Sequence, residues 1–307
     1  MDIFIDVVVI LACMAFIGLG AVWLVDSAAR VARRLGVSEL VVGLTIVAFG
    51  TSAPEFGVTI LAAIRGMSDI SVGNIVGSNI FNLGLILGGT AIVRSLGTSK
   101  TLVRRDGVFL FFGSVLLIIL LWNLSLNRIE GAVLFTLLIG YVGYLYWKKE
   151  PIELEKPVGE FRRRDILFLL LGVGLVVGSS HFMVDRSVHL AKIIGISEWV
   201  IGATIVAAGT SMPEFATSLV AALRGRAGMS VGNLIGSDTF NLFGVLGLAA
   251  ILGDLPDVDI EARSNLIALA GMVLMVLIFM RTGWRITRKE GIVLVVVGVV
   301  RWVLSFT

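Results

Sequence analysis

The sequence predicts an all-α polytopic membrane protein: ten transmembrane helices forming two inverted five-helix repeats, with helices 2 and 7 broken at the core. Three observations predict it. Of 307 residues, 57% are hydrophobic and only 15% charged, with 36 glycines besides, which is not the composition of a soluble domain. At about 20 residues per span, that apolar content is enough for roughly ten crossings. A long polar-flecked phrase in the first half also recurs in the second.

The apolar windows end where charges or turn residues cluster. Spans are expected near 3–29, 38–64, 69–94, 107–123 and 130–147, then near 165–190, 197–223, 229–252, 264–281 and 290–306. The first window lacks the basic start and small-residue cleavage site of a signal peptide, and Asp2 and Asp6 open it, so it counts as a helix. The one hydrophilic stretch of any length, Lys148 to Asp165, is too short to fold alone. The expected organisation is therefore a first repeat over 1–147, a cytoplasmic linker over 148–164 and a second repeat over 165–307.

A shift of 159 residues superposes GVSELVVGLTIVAFGTSAPEF, from Gly36, on GISEWVIGATIVAAGTSMPEF, from Gly195. The same shift brings VGNIVGSNIFNLGLILG, from Val72, onto VGNLIGSDTFNLFGVLG, from Val231, and pairs Asp6 with Asp165 and Asp26 with Asp185. About 30 of the 54 positions from Gly36 to Gly89 are identical to their partners, well beyond shared hydrophobicity. The motif-bearing segments are thus about 36–89 and 195–248. Five spans per half is an odd number, so the second copy enters the membrane from the opposite side and the repeats are inverted. Loops after odd-numbered spans carry about 19 basic residues against about 6 elsewhere, which predicts a cytoplasmic linker and extracellular termini.

The net charge is only +3, from 25 basic and 22 acidic residues, and the basic residues mark membrane sides, not a nucleic-acid surface. Cys13 is the single cysteine, which excludes an intramolecular disulfide and thiolate metal sites. No G-x-x-x-x-G-K-S/T phrase or soluble domain is present to hold a nucleotide, which disfavours an ATP-driven pump. No cofactor is expected.

The chemistry concentrates in Gly50-Thr51-Ser52-Ala53-Pro54-Glu55 and Gly209-Thr210-Ser211-Met212-Pro213-Glu214. Both phrases lie near the middle of otherwise apolar spans, where an unpaired carboxylate costs about 3 kcal/mol or more. Each proline lacks an N–H, so the Gly50 and Gly209 carbonyls lose their helical partners and the helix breaks. On helical spacing, Thr51 and Ser52 share a face with Glu55, and Thr210 and Ser211 with Glu214. The next spans add rows four residues apart, Asn74, Ser78, Asn82 and Asn233, Ser237, Asn241. Gly73 and Gly77, with Gly232 and Gly236, are spaced to let helices approach closely. Hydroxyl, amide and carboxylate oxygens are the ligands of hard cations.

In these motifs the sequence resembles the calcium/cation antiporter superfamily, in its sodium/calcium exchanger branch, whose two repeats carry G-T-S-x-P-E-like and G-N-x-x-G-S-N phrases. The resemblance spans both halves in order. It implies alternating exchange of Na⁺ for Ca²⁺ at a midplane site between spans 2, 3, 7 and 8, with spans 1 and 6 sliding across the core. Carried over residue by residue, it makes Glu55 and Glu214 shared carboxylates and adds hydroxyls of Thr51, Ser52, Ser78, Thr210, Ser211 and Ser237. Backbone carbonyls of Ala48 and Ala207 and the amides of Asn82 and Asn241 complete the implied set. Where the potassium-dependent branch has aspartate, this chain has Asn241, which leans toward potassium independence. Asp238 replaces the asparagine found at Asn79; it either adds a third acidic group to the site or hydrates its entrance.

Membrane lipid is the other expected partner, with Arg162 to Arg164 as a positive-inside anchor. Asp26 and Asp185, next to Arg30 and Arg186, are expected in interfacial ion pairs. His181 and His189 have no histidine counterparts in the first half, which argues against a duplicated proton relay. Rival readings are a cation channel with the same ligands, an intramembrane protease with Ser52 or Ser211 as nucleophile, and a H⁺/Ca²⁺ exchanger. The last is the strongest rival, because buried carboxylates also accept protons.

Overall fold

Broken apolar helices dominate the computed structural model, which describes residues 2–148, 159–195 and 207–304. In chain order these are α1 (Asp2–Leu35), α2 (Glu39–Thr51), α3 (Ala53–Ile64), α4 (Ser68–Val93), α5 (Leu102–Asn123) and α6 (Arg128–Trp147). The second half supplies α7 (Arg164–Ile193), α8 (Ala207–Thr210), α9 (Met212–Leu223), α10 (Ala227–Gly253), α11 (Glu261–Arg281) and α12 (Arg288–Leu304). Seven of these are long and apolar enough to cross a membrane, and α2 with α3, bent by 54° at their junction, makes an eighth. The expected ten differ from this count for two reasons. The chain leading into α8, residues 196–206, lies outside the described residues, and α12 is described over only 17 residues.

Several helices outrun their expected apolar windows. The first window closed at residue 29, yet α1 continues to Leu35 with Arg33 and Arg34 in its last turn, where cations complement the free carbonyls. The fourth window began at 107, yet α5 starts at Leu102 through a widened π-helical turn holding Arg104, Arg105 and Asp106. Asp106 is fully buried there because Arg105 pairs with it at 2.6 Å and the Tyr141 hydroxyl donates to it at 2.8 Å. Tyr141, Phe109 and Phe243 stack in a column with centroids 4.3 and 4.6 Å apart, joining α6, α5 and α10. The Asn127 side chain caps α6 in a capping box with Glu130.

The core sits around α4 and α10, the most enclosed of the long helices, while α1, α6 and α7 leave most of their surface outward. That outward surface is apolar, with Phe4, Leu11, Phe16, Leu170 and Leu171 exposed, as hydrocarbon-facing helices require. α1 and α7 pack along each other across the two halves, and at their crossing a Cβ on Gly172 would lie 2.9 Å from the Gly20 carbonyl oxygen. Two loop contacts were not expected from sequence. Leu96–Gly97 (β1) pairs antiparallel with Arg285–Ile286 (β2), and Leu126 bridges Leu255.

Candidate cation site

Both predicted breaks occur where the proline phrases put them. Ser52 (φ −78°, ψ 11°) ends α2 and Ser211 (φ −89°, ψ 7°) precedes α9, with Pro54 and Pro213 in the first turns that follow. That position tolerates proline because the first helical N–H groups have no partner in any case. The first turns of α3 and α9 then carry Glu55 and Glu214, both with no solvent exposure.

The side chains cross over between the repeats. Ser52 Oγ donates to Glu214 Oε1 at 3.0 Å, and Ser211 Oγ donates to Glu55 Oε1 at 3.3 Å. Ser237 Oγ also donates to Glu214 Oε1, at 3.4 Å. Spacing alone put each serine on the face of its own glutamate; its hydroxyl bonds the glutamate of the other repeat. The bend at residue 52 ends the regular three- and four-residue spacing, so the hydroxyl swings onto the opposite repeat. Thr51 Oγ1 likewise reaches across, donating to Asn233 Oδ1 at 3.2 Å and lying 3.5 Å from Ser237 Oγ.

The polar rows on α4 and α10 divide into two roles. Asn74 Nδ2 donates to Thr59 Oγ1 at 2.9 Å and Asn233 Nδ2 to Ser218 Oγ at 3.0 Å, repeat-related bonds that tie each row to the preceding half-helix. Thr59 and Ser218 were not anticipated, though their shared 159-residue spacing was a visible signal. About two turns on, Asn82 Nδ2 donates to Asp238 Oδ1 and Asn241 Nδ2 to Asn79 Oδ1, each at 2.9 Å. Asn79 Nδ2 donates to the Asp238 carbonyl at 3.1 Å. Asp238 has no solvent exposure and is held on Asn82 inside the core. Asn82 begins one π-helical turn and Asn241 lies second in another, irregularities that recur at functional sites.

What remains is a set of buried oxygens with no protein partner: Glu55 Oε2, Glu214 Oε2, Asp238 Oδ2, Asn82 Oδ1 and Asn241 Oδ1. All five can accept, and leaving them unmatched away from water is costly, so they are oxygens a cation could use. No three His, Cys, Asp or Glu side chains converge among the described residues, so any cation here meets mixed oxygen ligands. Ser78 Oγ bonds the Asn74 carbonyl at 2.8 Å, and the Ala48 carbonyl accepts from Ser52 N at 3.0 Å. Thr210 lies in α8, whose first residue is Ala207.

Other ionic groups pair differently from expectation. Asp26 meets Arg224 at 3.1 Å, not Arg30, because Arg30 turns across to Asp165 at 2.8 Å. Arg186 lies 3.7 Å from Asp6, and Asp185 faces His181 at 3.6 Å. The arginine next in sequence thus goes to the more buried carboxylate, Asp165 or Asp6, while Asp26 and Asp185 find other partners. A buried ion pair that sequence did not indicate, Arg226 with Glu39 at 2.5 Å, joins the start of α10 to the start of α2.

A multi-pass helical membrane protein whose two halves bring buried carboxylates, hydroxyls and amides together inside its core has the makings of an ion-translocating carrier. The chain is a member of the sodium/calcium exchanger family, whose "Sodium/calcium exchanger protein" model matches residues 5–147 and again 165–306. It is 33% identical over 346 positions to the sodium/calcium exchanger MaX1 of Methanosarcina acetivorans, covering 98% of this chain and 99% of that one. It is also 32% identical over 282 positions to the inner membrane protein YrbG of Escherichia coli K12, covering 87% and 85%. The solved sodium-calcium exchanger NCX_Mj superposes with a TM-score of 0.87 at 30% identity, covering 99% of this chain and all of that one. MaX1 and NCX_Mj are exchangers by name, and the chain is an antiporter-family membrane protein, not an enzyme.

Proposed function

We propose that the protein exchanges Na⁺ for Ca²⁺ by alternating access at the pocket between Glu55 and Glu214. The observation that carries this reading is the reciprocal bonding of Ser52 to Glu214 and Ser211 to Glu55, which leaves one oxygen of each carboxylate unpartnered in the same enclosed region. Two carboxylates about 6 Å apart repel by roughly 3 kcal/mol at an effective dielectric near 20. An empty pocket is therefore disfavoured, and a filled one relieves the repulsion. One Ca²⁺ or two Na⁺ cancel the two charges equally well, which makes the two loads mutually exclusive. The ligands are Glu55, Glu214, Thr51, Ser52, Ser78, Thr210, Ser211, Ser237, Asn82, Asn241 and the carbonyls of Ala48 and Ala207. Asp238 adds its free oxygen from the side of Asn82.

The architecture behind this mechanism is ten spans in two inverted repeats, 1–147 and 165–307, joined by the 148–164 linker. Loop pairing supports it: β1 and β2 follow spans 3 and 9, while Leu126 and Leu255 follow spans 4 and 8. Contacts thus join loops of one parity, as alternating spans require. With the linker cytoplasmic and the termini outside, cysteine at Gly159 in a Cys13→Ala background is expected to label only from the cytoplasm, and cysteine at Asn123 only from outside. Labelling of both from one side would break the ten-span layout, and exchanged sides would invert it.

The decisive assay is Ca²⁺ uptake into vesicles holding the purified protein. Uptake is expected under an outward Na⁺ gradient and not under an outward H⁺ gradient or with none. Uptake driven by the proton gradient alone would make the protein a H⁺/Ca²⁺ exchanger, and uptake without any gradient of counter-ion would make it a channel. The same vesicles test Asp238. Exchange is expected to run equally with K⁺ or an inert cation, since Asn241 brings an oxygen but no charge, and Asp238→Asn is expected to alter apparent affinity only modestly. A strict K⁺ requirement lost in Asp238→Asn would assign Asp238 a cation of its own.

A further inference from the structure

The ion pairs between α1, α7 and the core obey the 159-residue shift in an informative way. Arg30–Asp165 becomes His189–Asp6 under the shift, and both pairs are present, at 2.8 and 2.6 Å. Both lie between α1 and α7, one at each end of the crossing, and both carboxylates are almost wholly buried. Asp26–Arg224 becomes Asp185–Arg65, and here the symmetry fails. Asp26 on α1 meets Arg224 at the end of α9 at 3.1 Å. Asp185 on α7 instead faces His181 of its own helix at 3.6 Å, and no bond joins it to Arg65 at the end of α3.

In a carrier built from inverted repeats, exchanging the conformations of the two halves generates the opposite-facing state. A contact made by both copies survives that exchange; a contact made by one copy only must swap. On this basis we infer that Arg30–Asp165 and His189–Asp6 are permanent clamps that make α1 and α7 one body. Asp26–Arg224 and Asp185–Arg65 are then alternate latches, the first closed in this state and the second closed in the other. The inference rests on the antiport reading and adds the residues that hold each state. Burial fits the division of labour. Breaking a pair with a buried carboxylate strands a charge, which suits a clamp. The half-exposed Asp26–Arg224 pair, 26% and 46% exposed, is cheap to open, which suits a latch that releases once per cycle. His189 Nδ1 meets the Asp6 carboxylate at 2.6 Å, and Arg186 stands 3.7 Å from the same carboxylate.

Paired cysteines in a Cys13→Ala background, joined by a short bismaleimide and read on a denaturing gel, test this on the full-length protein in vesicles. The pairs are Asp26→Cys with Arg224→Cys, Asp185→Cys with Arg65→Cys, and Asp6→Cys with His189→Cys. Each latch pair is expected to cross-link in part of the population, never both in one molecule of the four-cysteine protein, and each cross-link should abolish Ca²⁺ flux. The Asp6–His189 cross-link is expected to form fully and leave flux intact; if that variant fails to fold, Arg30→Cys with Asp165→Cys replaces it. Three results would overturn the inference: no Arg65–Asp185 cross-link in either Na⁺ or Ca²⁺, both latches cross-linked together, or a clamp cross-link that stops transport. Because the gel reads conformation without reference to the driving ion, these outcomes are distinct from a failure of Na⁺ to drive uptake.

Discussion

Replacing either Glu55 or Glu214 by glutamine is expected to abolish Ca²⁺ exchange while leaving the protein folded. Each carboxylate is wholly enclosed, and each keeps one oxygen without a protein partner. Removing a unit charge about 4 Å from a divalent cation removes about 8 kcal/mol of attraction at an effective dielectric near 20. Even if relaxation recovered half of that, affinity would fall by about a thousandfold. Glutamine preserves the shape and the acceptor oxygen, so Ser211 Oγ and Ser52 Oγ keep their bonds and the helix breaks stay in register. Vesicle Ca²⁺ uptake with gel-filtration profiles of the solubilised variants measures both halves of the expectation. Near-normal Na⁺-driven flux in either variant would sink the shared-site model.

Gly236→Val is expected to prevent folding altogether. A Cβ at Gly236 would lie 2.6 Å from the Leu44 carbonyl oxygen, 2.7 Å from Leu44 Cα and 2.8 Å from Ala48 Cβ. The first two are backbone atoms, which cannot rotate away as a flexible side-chain end can. Overpacking of a well-filled core ordinarily costs about 1–3 kcal/mol, and valine adds two further methyl groups here. α10 would have to leave α2, taking Ser237 and Asp238 with it. Gly140→Ala, at an exposed position with no atom near its added Cβ, is the matched control and is expected to express as the parent does. A monodisperse Gly236→Val protein with parental thermal stability would show that α2 and α10 do not pack as described.

The close approach of α2 and α10 also explains why the sequence-level glycine rule worked only in part. Gly232 and Gly236 do meet the α2 backbone, with Leu40 and Leu44 carbonyl oxygens 2.8 and 2.6 Å from their added Cβ atoms. Among the described residues, no atom lies within 4 Å of a Cβ added at their repeat mates Gly73 and Gly77. The breaks at Ser52 and Ser211 were legible because proline acts within four residues of itself. The small β1–β2 ladder was not, since two residues of ladder leave no periodicity to detect.

The sequence by itself determined that the chain is a membrane protein, that its halves are copies, and that Glu55 and Glu214 occupy equivalent breaks. Hydrocarbon demands apolar helices, and a proline or a four-residue polar row leaves its mark within one or two helical turns, so such features can be read along the chain. Only the tertiary structure decided that Ser52 serves Glu214, 162 residues away, and Ser211 serves Glu55, 156 residues away. It alone placed Asp238 inside on Asn82 and took Arg30 from Asp26 to give it to Asp165. Those choices depend on the 54° bend and on how closely glycine lets two helices approach, quantities set by packing between distant segments, for which local spacing carries no signal.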